Sequence, residues 1–221
     1  TSKTGIYHLV LRGINRQTIF EEDEDAIKFL DTLQRYQKEC DFEIYAYCLM
    51  GNHIHLLVKE GKEKIGQTMK RIGVSYVYWY NYKYDRSGHL FQGRYKSEVV
   101  EDDSYLLVVL RYIHQNPLKA KMVKDIEDYQ WSSYHEYIGN NSKMVNCDFI
   151  LGIFSNDRVK ALTLFREFHE RENKDQCLDV DNRRIIKDDE AIKIIREIFN
   201  VASIKDISGI DAVYRDNRLK I

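Results

Sequence analysis

Proline is all but missing from this sequence, with one residue in 221, and cysteine is scarce at four. Cys40, Cys48, Cys147 and Cys177 include no CxxC pair, and no apolar signal segment opens the chain. Reduced thiols in a cytoplasmic protein are therefore expected. Long apolar runs are lacking too. No stretch reaches the roughly 18 apolar residues that a membrane helix needs, so no membrane partner is expected. Charge of one sign is also wanting: 34 Lys and Arg face 35 Asp and Glu, a net charge of -1, so nothing global advertises a nucleic-acid partner. What remains is ample material for a core. Hydrophobic residues make up 43% of the chain and aromatics 12%, enough for one domain or one domain plus an appendage.

Periodicity predicts the elements. "IYHLVLRG" (6 to 13) alternates like a strand, and "EEDEDAIKFLDTLQRYQKEC" opens with carboxylates suited to a helix N-terminus. "FEIYAYCLM" and "HIHLLVKE" read as two antiparallel strands joined at Gly51-Asn52, a hairpin dipeptide. Residues 64 to 84 are ambiguous, because Tyr76, Tyr78, Tyr80, Tyr82 and Tyr84 alternate as in a strand. Ile65, Met69, Ile72, Tyr76, Trp79 and Tyr80 follow helical spacing over a longer window, so a helix is expected despite the roughly 1 kcal/mol cost of Gly73. "RYKSEVV" (94 to 100) reads as a strand. "DDSYLLVVLRYIHQN" (102 to 116) reads as a helix that stops at Pro117. The order β-α-β-β-α-β-α predicts an α+β fold of ferredoxin-like type, related to RNA-recognition domains. In it an antiparallel four-stranded sheet carries helices on one side, with one further helix added.

The chemistry gathers in "YCLMGNHIHLLVKE" (47 to 60). A strand sends alternate side chains to opposite faces, so His53 and His55 share one face. Two neutral imidazoles there can grip a divalent ion. In "LRYIHQNP", Tyr112 and Asn116 lie four apart on one helical face. If the Asn116 amide oxygen joins the histidines as third ligand, Tyr112 stands beside whatever the metal polarises, and a tyrosine hydroxyl is a competent nucleophile for phosphorus. Each feature alone is ordinary. A strand histidine is more often a packed residue than a ligand, and most of the 16 tyrosines are expected to pack.

Four segments, taken together, resemble a known family: "YHLVLRGINRQTIF" (7 to 20), "YAYCLMGNHIHLLV" (45 to 58), "GHLFQGRYKSEVV" (88 to 100) and "YLLVVLRYIHQNPLKAKMV" (105 to 123), followed by "WSSYHEY" (131 to 137). They resemble the single-tyrosine HUH transposases of the insertion-sequence-200-like type, and among them the REP-associated tyrosine transposases (RAYT). The resemblance implies that His53 and His55 are metal ligands, that Tyr112 is the nucleophile, and that Asn116 falls at the third ligand position, a Gln in some members. It implies cleavage of single-stranded DNA beside imperfect hairpins through a transient 5′-phosphotyrosine bond, assisted by Mg2+ or Mn2+ without ATP. The expected partner is single-stranded DNA with hairpin or palindromic repeats, met in the bacterial cytoplasm at the nucleoid. A homodimer is one assembly open to such a protein.

A DNA contact surface is expected from local charge. Residues 61 to 97 hold eight basic side chains and two acidic ones, 8 − 2 = +6, interleaved with aromatics that suit a single strand. Candidate DNA contacts are Arg12, Arg16, Lys70, Arg71, Arg94 and Lys96. Residues 1–140 are read as the catalytic domain and 141–221 as a mainly helical extension, a shortened DNA-binding segment or a buttress. "GNNSK" (139 to 143) marks the break, while "VKALTLFREFHE" and "AIKIIREIFN" read as helices. Three other readings stay open. One is a non-catalytic ferredoxin-like nucleic-acid module, and another is a metal-dependent phosphodiesterase using activated water. The third is a zinc site joining Cys48 to the histidines, although Cys48 faces away from them if numbering parity survives the turn.

Overall fold

The computed structural model describes residues 2–139 and 144–179. By proximity the chain divides into Thr1–Val180 and Asp181–Ile221, and all the described residues belong to the first unit. The expected helix "AIKIIREIFN" and the terminal "DISGIDAVYRDNRLKI" lie outside the described residues, as does most of "GNNSK".

The elements run β1 (Ile6–Arg12), α1 (Asp23–Cys40), β2 (Glu43–Met50), β3 (His53–Lys59), α2 (Ile65–Lys83), β4 (Lys96–Val100), α3 (Asp103–Lys119), α4 (Tyr134–Ile138), α5 (Cys147–Phe154) and α6 (Arg158–Glu170). The strands form one sheet in the order β2-β3-β1-β4, and every neighbouring pair is antiparallel. This is the expected α+β ferredoxin-like sheet. No helix among the described residues is long and apolar enough to cross a membrane.

Register explains why the sheet has two different faces. Leu9, Leu11, Ile54, Leu56 and Val58 point one way and are buried with Phe29 and Leu33 of α1 and Met69 and Ile72 of α2. Each such side chain contributes about 1.5–3 kcal/mol on leaving water. α2 is a helix because one stripe can be buried. Ile65, Met69, Ile72, Tyr76 and Tyr80 go inward, while Tyr78 and Tyr82 stay 76% and 83% exposed. The alternation of tyrosines therefore splits between core and surface, as a 3.6-residue period demands.

The other face carries His8, His53 and His55, and α3 packs there. Asp102 caps α3 by accepting from the Tyr105 amide at 2.9 Å. The helix does not stop before Pro117, as its sequence suggested, but runs on to Lys119. The missing proline N–H falls in the last turn, and backbone bonding resumes where the Ala120 amide reaches the Asn116 carbonyl at 2.9 Å. One lost bond at a helix end is cheap.

Residues after α3 close the outer edge of β2. The Leu49 amide reaches the Trp131 carbonyl at 2.9 Å, and the Asn146 amide reaches the Ile44 carbonyl at 2.8 Å, so an otherwise open strand edge is covered. α6 then docks on α3, and its Phe165 stacks on Tyr137 of α4 at 4.7 Å between centroids. The "VKALTLFREFHE" helix is thus present, and its buried face joins residues 158 to 170 to the preceding domain.

A buried imidazole chain fixes this docking. His169 Nδ1 faces the Phe165 carbonyl at 2.8 Å, which only accepts, so Nδ1 carries the proton. His169 Nε2 then accepts from His114 Nδ1 at 3.0 Å, and His114 Nε2 accepts from the Ser133 hydroxyl at 2.8 Å. Every member is satisfied only when both rings are neutral. Burial holds His169 down to about 4 and His114 well below its ordinary value. Above pH 6.5 the folded and unfolded forms bind equal protons here. Below it only the unfolded chain takes them up, so stability falls steadily toward pH 4, by about 3 kcal/mol from His169 alone. Melting curves between pH 7 and 4.5 should show this decline, and His169→Gln should flatten it. An unchanged slope in the variant would contradict the buried-neutral assignment.

Candidate active site

The hairpin sets the site. A two-residue turn at Gly51-Asn52 puts Met50 opposite His53 and Cys48 opposite His55. Directly opposed residues share a face, so Cys48 lies on the histidine side: the turn reverses the parity on which the opposite placement depended. Its thiol is nevertheless packed against the Met50 sulfur at 3.6 Å and pushed up by complete burial. It is not part of the ligand cluster that includes the two histidines.

β1 adds a histidine that its sequence alone did not mark. His8 Nε2 lies 3.1 Å from His55 Nδ1, and His8 Nδ1 lies 3.9 Å from a Glu98 oxygen. The chain His55–His8–Glu98, a hydrogen bond followed by a longer charge contact, turns His55 Nε2 outward; that atom and His8 Nδ1 are both buried without a hydrogen bond. This is the arrangement in which a ligating imidazole is oriented through its second nitrogen. His53 Nδ1 is likewise held by Asn52 Oδ1 at 2.7 Å. Burial lowers the proton affinity of both rings, that of His55 well below the ordinary value, so both are neutral donors at neutral pH.

α3 brings Tyr112 over this pair. Its ring lies 5.8 Å from that of His55 and 6.1 Å from that of His8. The hydroxyl donates to Asp179 Oδ2 at 2.7 Å, and Asp179 Oδ1 stands 3.8 Å from His55 Nε2. Burial and the neighbouring carboxylate push the phenol up, so it is held as a neutral donor. The Asn116 amide opposes that shift, and its nitrogen donates to the Tyr112 carbonyl at 3.0 Å. The Lys119 ammonium lies 4.7 Å over the Tyr112 ring. His53, His55 and Asp179 each offer one donor atom, all within 4.8 Å of one another. Two imidazoles and a carboxylate suit a divalent first-row ion or Mg2+, and the unpartnered His55 Nε2 fits such an ion.

The six candidate DNA contacts do not form one patch. Arg12 is opposite His53 on the histidine face, and Lys96 shares that face from β4. Lys70 and Arg94 line a separate cavity of about 1070 Å3 on the other side of the sheet, together with Leu11, Val77, Phe91 and Tyr95. Arg16 sits in the turn after β1 with its carbonyl near the Asn52 amide. Arg71 is engaged with Glu63 at 3.1 Å. The local charge count also overstates the free cations, because Lys83 is held by Glu22, Glu24 and Asp25 at 2.7 to 3.0 Å. Asp179 eluded pattern reading for a plain reason: it lies 67 residues beyond Tyr112 in an irregular, charge-rich stretch.

Residues 1–116 match the family model described as "Transposase IS200 like". A protein of Haemophilus influenzae (strain Rd) described as a putative REP-associated tyrosine transposase is 28% identical over 115 residues, covering 45% of this chain and 65% of that relative's length. The solved structure of a REP-associated tyrosine transposase bound to a REP hairpin superposes with a TM-score of 0.54 at 18% identity. It covers 62% of this chain and 81% of its own, a likeness of fold. The family match takes in β1, the histidine hairpin and α3 as far as Asn116, one turn beyond Tyr112, and the chain belongs to the IS200-like transposase family.

Proposed function

We propose that this protein is a DNA nicking and joining enzyme that acts on single-stranded DNA beside hairpin repeats, with Tyr112 as the nucleophile. The observation that carries the reading is the meeting of Tyr112 with the histidine pair inside one chain, its ring 5.8 Å from His55. No second subunit is needed to bring the nucleophile to the histidines. In the reaction a bond forms between Tyr112 Oη and the scissile phosphorus while the P–O3′ bond breaks. The phenol proton passes, in net terms, to the departing 3′-oxygen. The 5′-phosphotyrosine keeps the energy of the phosphodiester, so a 3′-hydroxyl attacking it rejoins DNA and restores the tyrosine without ATP.

His53 and His55 hold the divalent ion in this reading, with Asn116 as an oxygen donor one turn below the nucleophile. When bound, Mg2+ or Mn2+ supplies charge neutralisation at the phosphoryl oxygens. The chain's own work is positioning. α3 fixes the tyrosine over the sheet, and the His55–His8–Glu98 chain holds the ligand ring. Lys119, its ammonium over the Tyr112 ring, adds positive charge beside the nucleophile. Histidines where stacking aromatics would belong on the sheet face also distinguish this reading from a bare RNA-recognition-type module.

Hairpin DNA is the proposed partner, as in the solved REP complex. Residues 1–140 are the proposed catalytic domain and 141–221 an extension whose described part buttresses α3. Arg12 and Lys96 suit the strand entering the active site. Lys70 and Arg94, over an apolar floor with Phe91 and Tyr95, suit DNA held at a distance from it; Arg16 and Arg71 are lesser contacts. Replacing Lys70 and Arg94 together by Ala should weaken single-strand binding and flatten its salt dependence by about 0.7 in log–log slope for each phosphate no longer neutralised. An unaltered slope would remove the cavity from the DNA path. The function itself is tested by incubating the protein and Mn2+ with labelled hairpin oligonucleotides drawn from repeats flanking its gene. A denaturation-resistant protein–DNA adduct is expected. Cleavage without any adduct favours hydrolysis by metal-activated water.

A further inference from the structure

Residues 171 to 179 have no regular secondary structure, yet they are fastened along α3. Arg111 Nε donates to Asp175 at 2.7 Å, and its guanidinium also reaches the Phe168 carbonyl at 3.0 Å while lying 4.0 Å over the Phe168 ring. The Arg111 and Asp175 side chains are only 9% and 13% exposed. Gln115 donates to the His169 carbonyl at 2.6 Å and accepts from Asn173 at 3.0 Å. Farther along, the Leu178 amide donates to Glu98 Oε2 at 3.1 Å. Arg111 directly precedes Tyr112 and Gln115 follows it by three residues, so α3 holds this strap with side chains within one turn of its nucleophile.

The strap delivers one side chain to the site. Asp179 Oδ2 accepts from the Tyr112 hydroxyl, while Oδ1 stands 3.8 Å from the orphaned, fully buried His55 Nε2. Donor atoms around one octahedral ion at about 2.1 Å lie roughly 3 to 4.2 Å apart. The donors of His53, His55 and Asp179, within 4.8 Å of one another, need only small side-chain adjustments to reach that spacing. A carboxylate oxygen is also the ligand that Mg2+ and Mn2+ favour, and two imidazoles lack it.

We propose that Asp179, from beyond the family-matched residues, is a protein ligand of the same divalent ion and holds the Tyr112 hydroxyl beside it. This rests on the metal reading above and adds a carboxylate to His53, His55 and Asn116. It also gives the strap a purpose: latching residues 171 to 179 to α3 fixes ligand and nucleophile in one unit.

The test is Mn2+ binding by the full chain without DNA, read from loss of the free-ion signal in electron paramagnetic resonance, with melting curves confirming that each variant folds. Asp179→Asn should weaken Mn2+ binding by at least about tenfold, and Asp179→Glu should recover part of it. Asp175→Asn, which loosens the latch without touching a ligand, should weaken binding by a smaller factor. If Asp179→Asn binds Mn2+ as tightly as the parent, or more tightly, while His55→Ala does not bind, the strap ligand is refuted and the histidine site stands. If His55→Ala binds like the parent, the metal reading and this inference fail together.

Discussion

Tyr112→Phe is expected to abolish the covalent protein–DNA adduct and to lower strand cleavage by on the order of a thousandfold or more. That corresponds to about 4 kcal/mol or more of transition-state stabilisation. The change removes one oxygen and leaves the ring over the histidines. The hydrogen bond to Asp179 goes with it, but the Asp179 side chain is 41% exposed and regains water, so stability should change by no more than about 1 kcal/mol. The variant therefore separates chemistry from folding. It should still bind hairpin DNA and Mn2+, and binding curves beside cleavage gels make the comparison. Cleavage persisting at the parental rate would transfer the attack to water and leave Tyr112 as packing.

His55→Ala is expected to have the second largest effect, of two kinds. Mn2+-dependent cleavage should vanish, because the oriented Nε2 is removed from the centre of the cluster. The protein should also lose stability, since His8 Nε2 is left without its partner in a site that is 0% exposed. An unsatisfied buried group of this kind costs about 1–3 kcal/mol. His53→Ala makes the contrast: His53 is only partly buried and bonds Asn52, so cleavage should be lost with a smaller drop in melting temperature. Equal stability losses would argue against the His55–His8–Glu98 chain as the element that orients the ligand.

Much of this was legible in residue order because it depends on local periods. The Gly51-Asn52 hairpin, the shared face of His53 and His55, and the spacing of Tyr112 and Asn116 are consequences of strand and helix geometry over a few residues. The helical reading of 64 to 84 also stands, since a long window of 3.6-residue spacing outweighed alternating tyrosines. Where tertiary contact decides, the sequence was silent. His8 meets His55 across 47 residues, and a lone strand histidine gives no sign of a partner. Asp179 arrives on an irregular strap, for which no period exists. The side of Cys48 turned on the count of residues in one turn. Arg71 and Lys83 look like free cations until the fold sets Glu63 and a carboxylate cluster against them.

The central claim is that DNA becomes joined to Tyr112, and digestion of the adduct tests it most directly. Trypsin cuts after Arg111 and after Lys119, releasing Tyr112–Lys119, "YIHQNPLK", which contains no other tyrosine. Mass spectrometry of adducts trimmed by nuclease should find this peptide carrying a 5′-phosphonucleotide on its tyrosine. A nucleotide on any other peptide, or cleaved DNA with this peptide unmodified throughout the reaction, would contradict it.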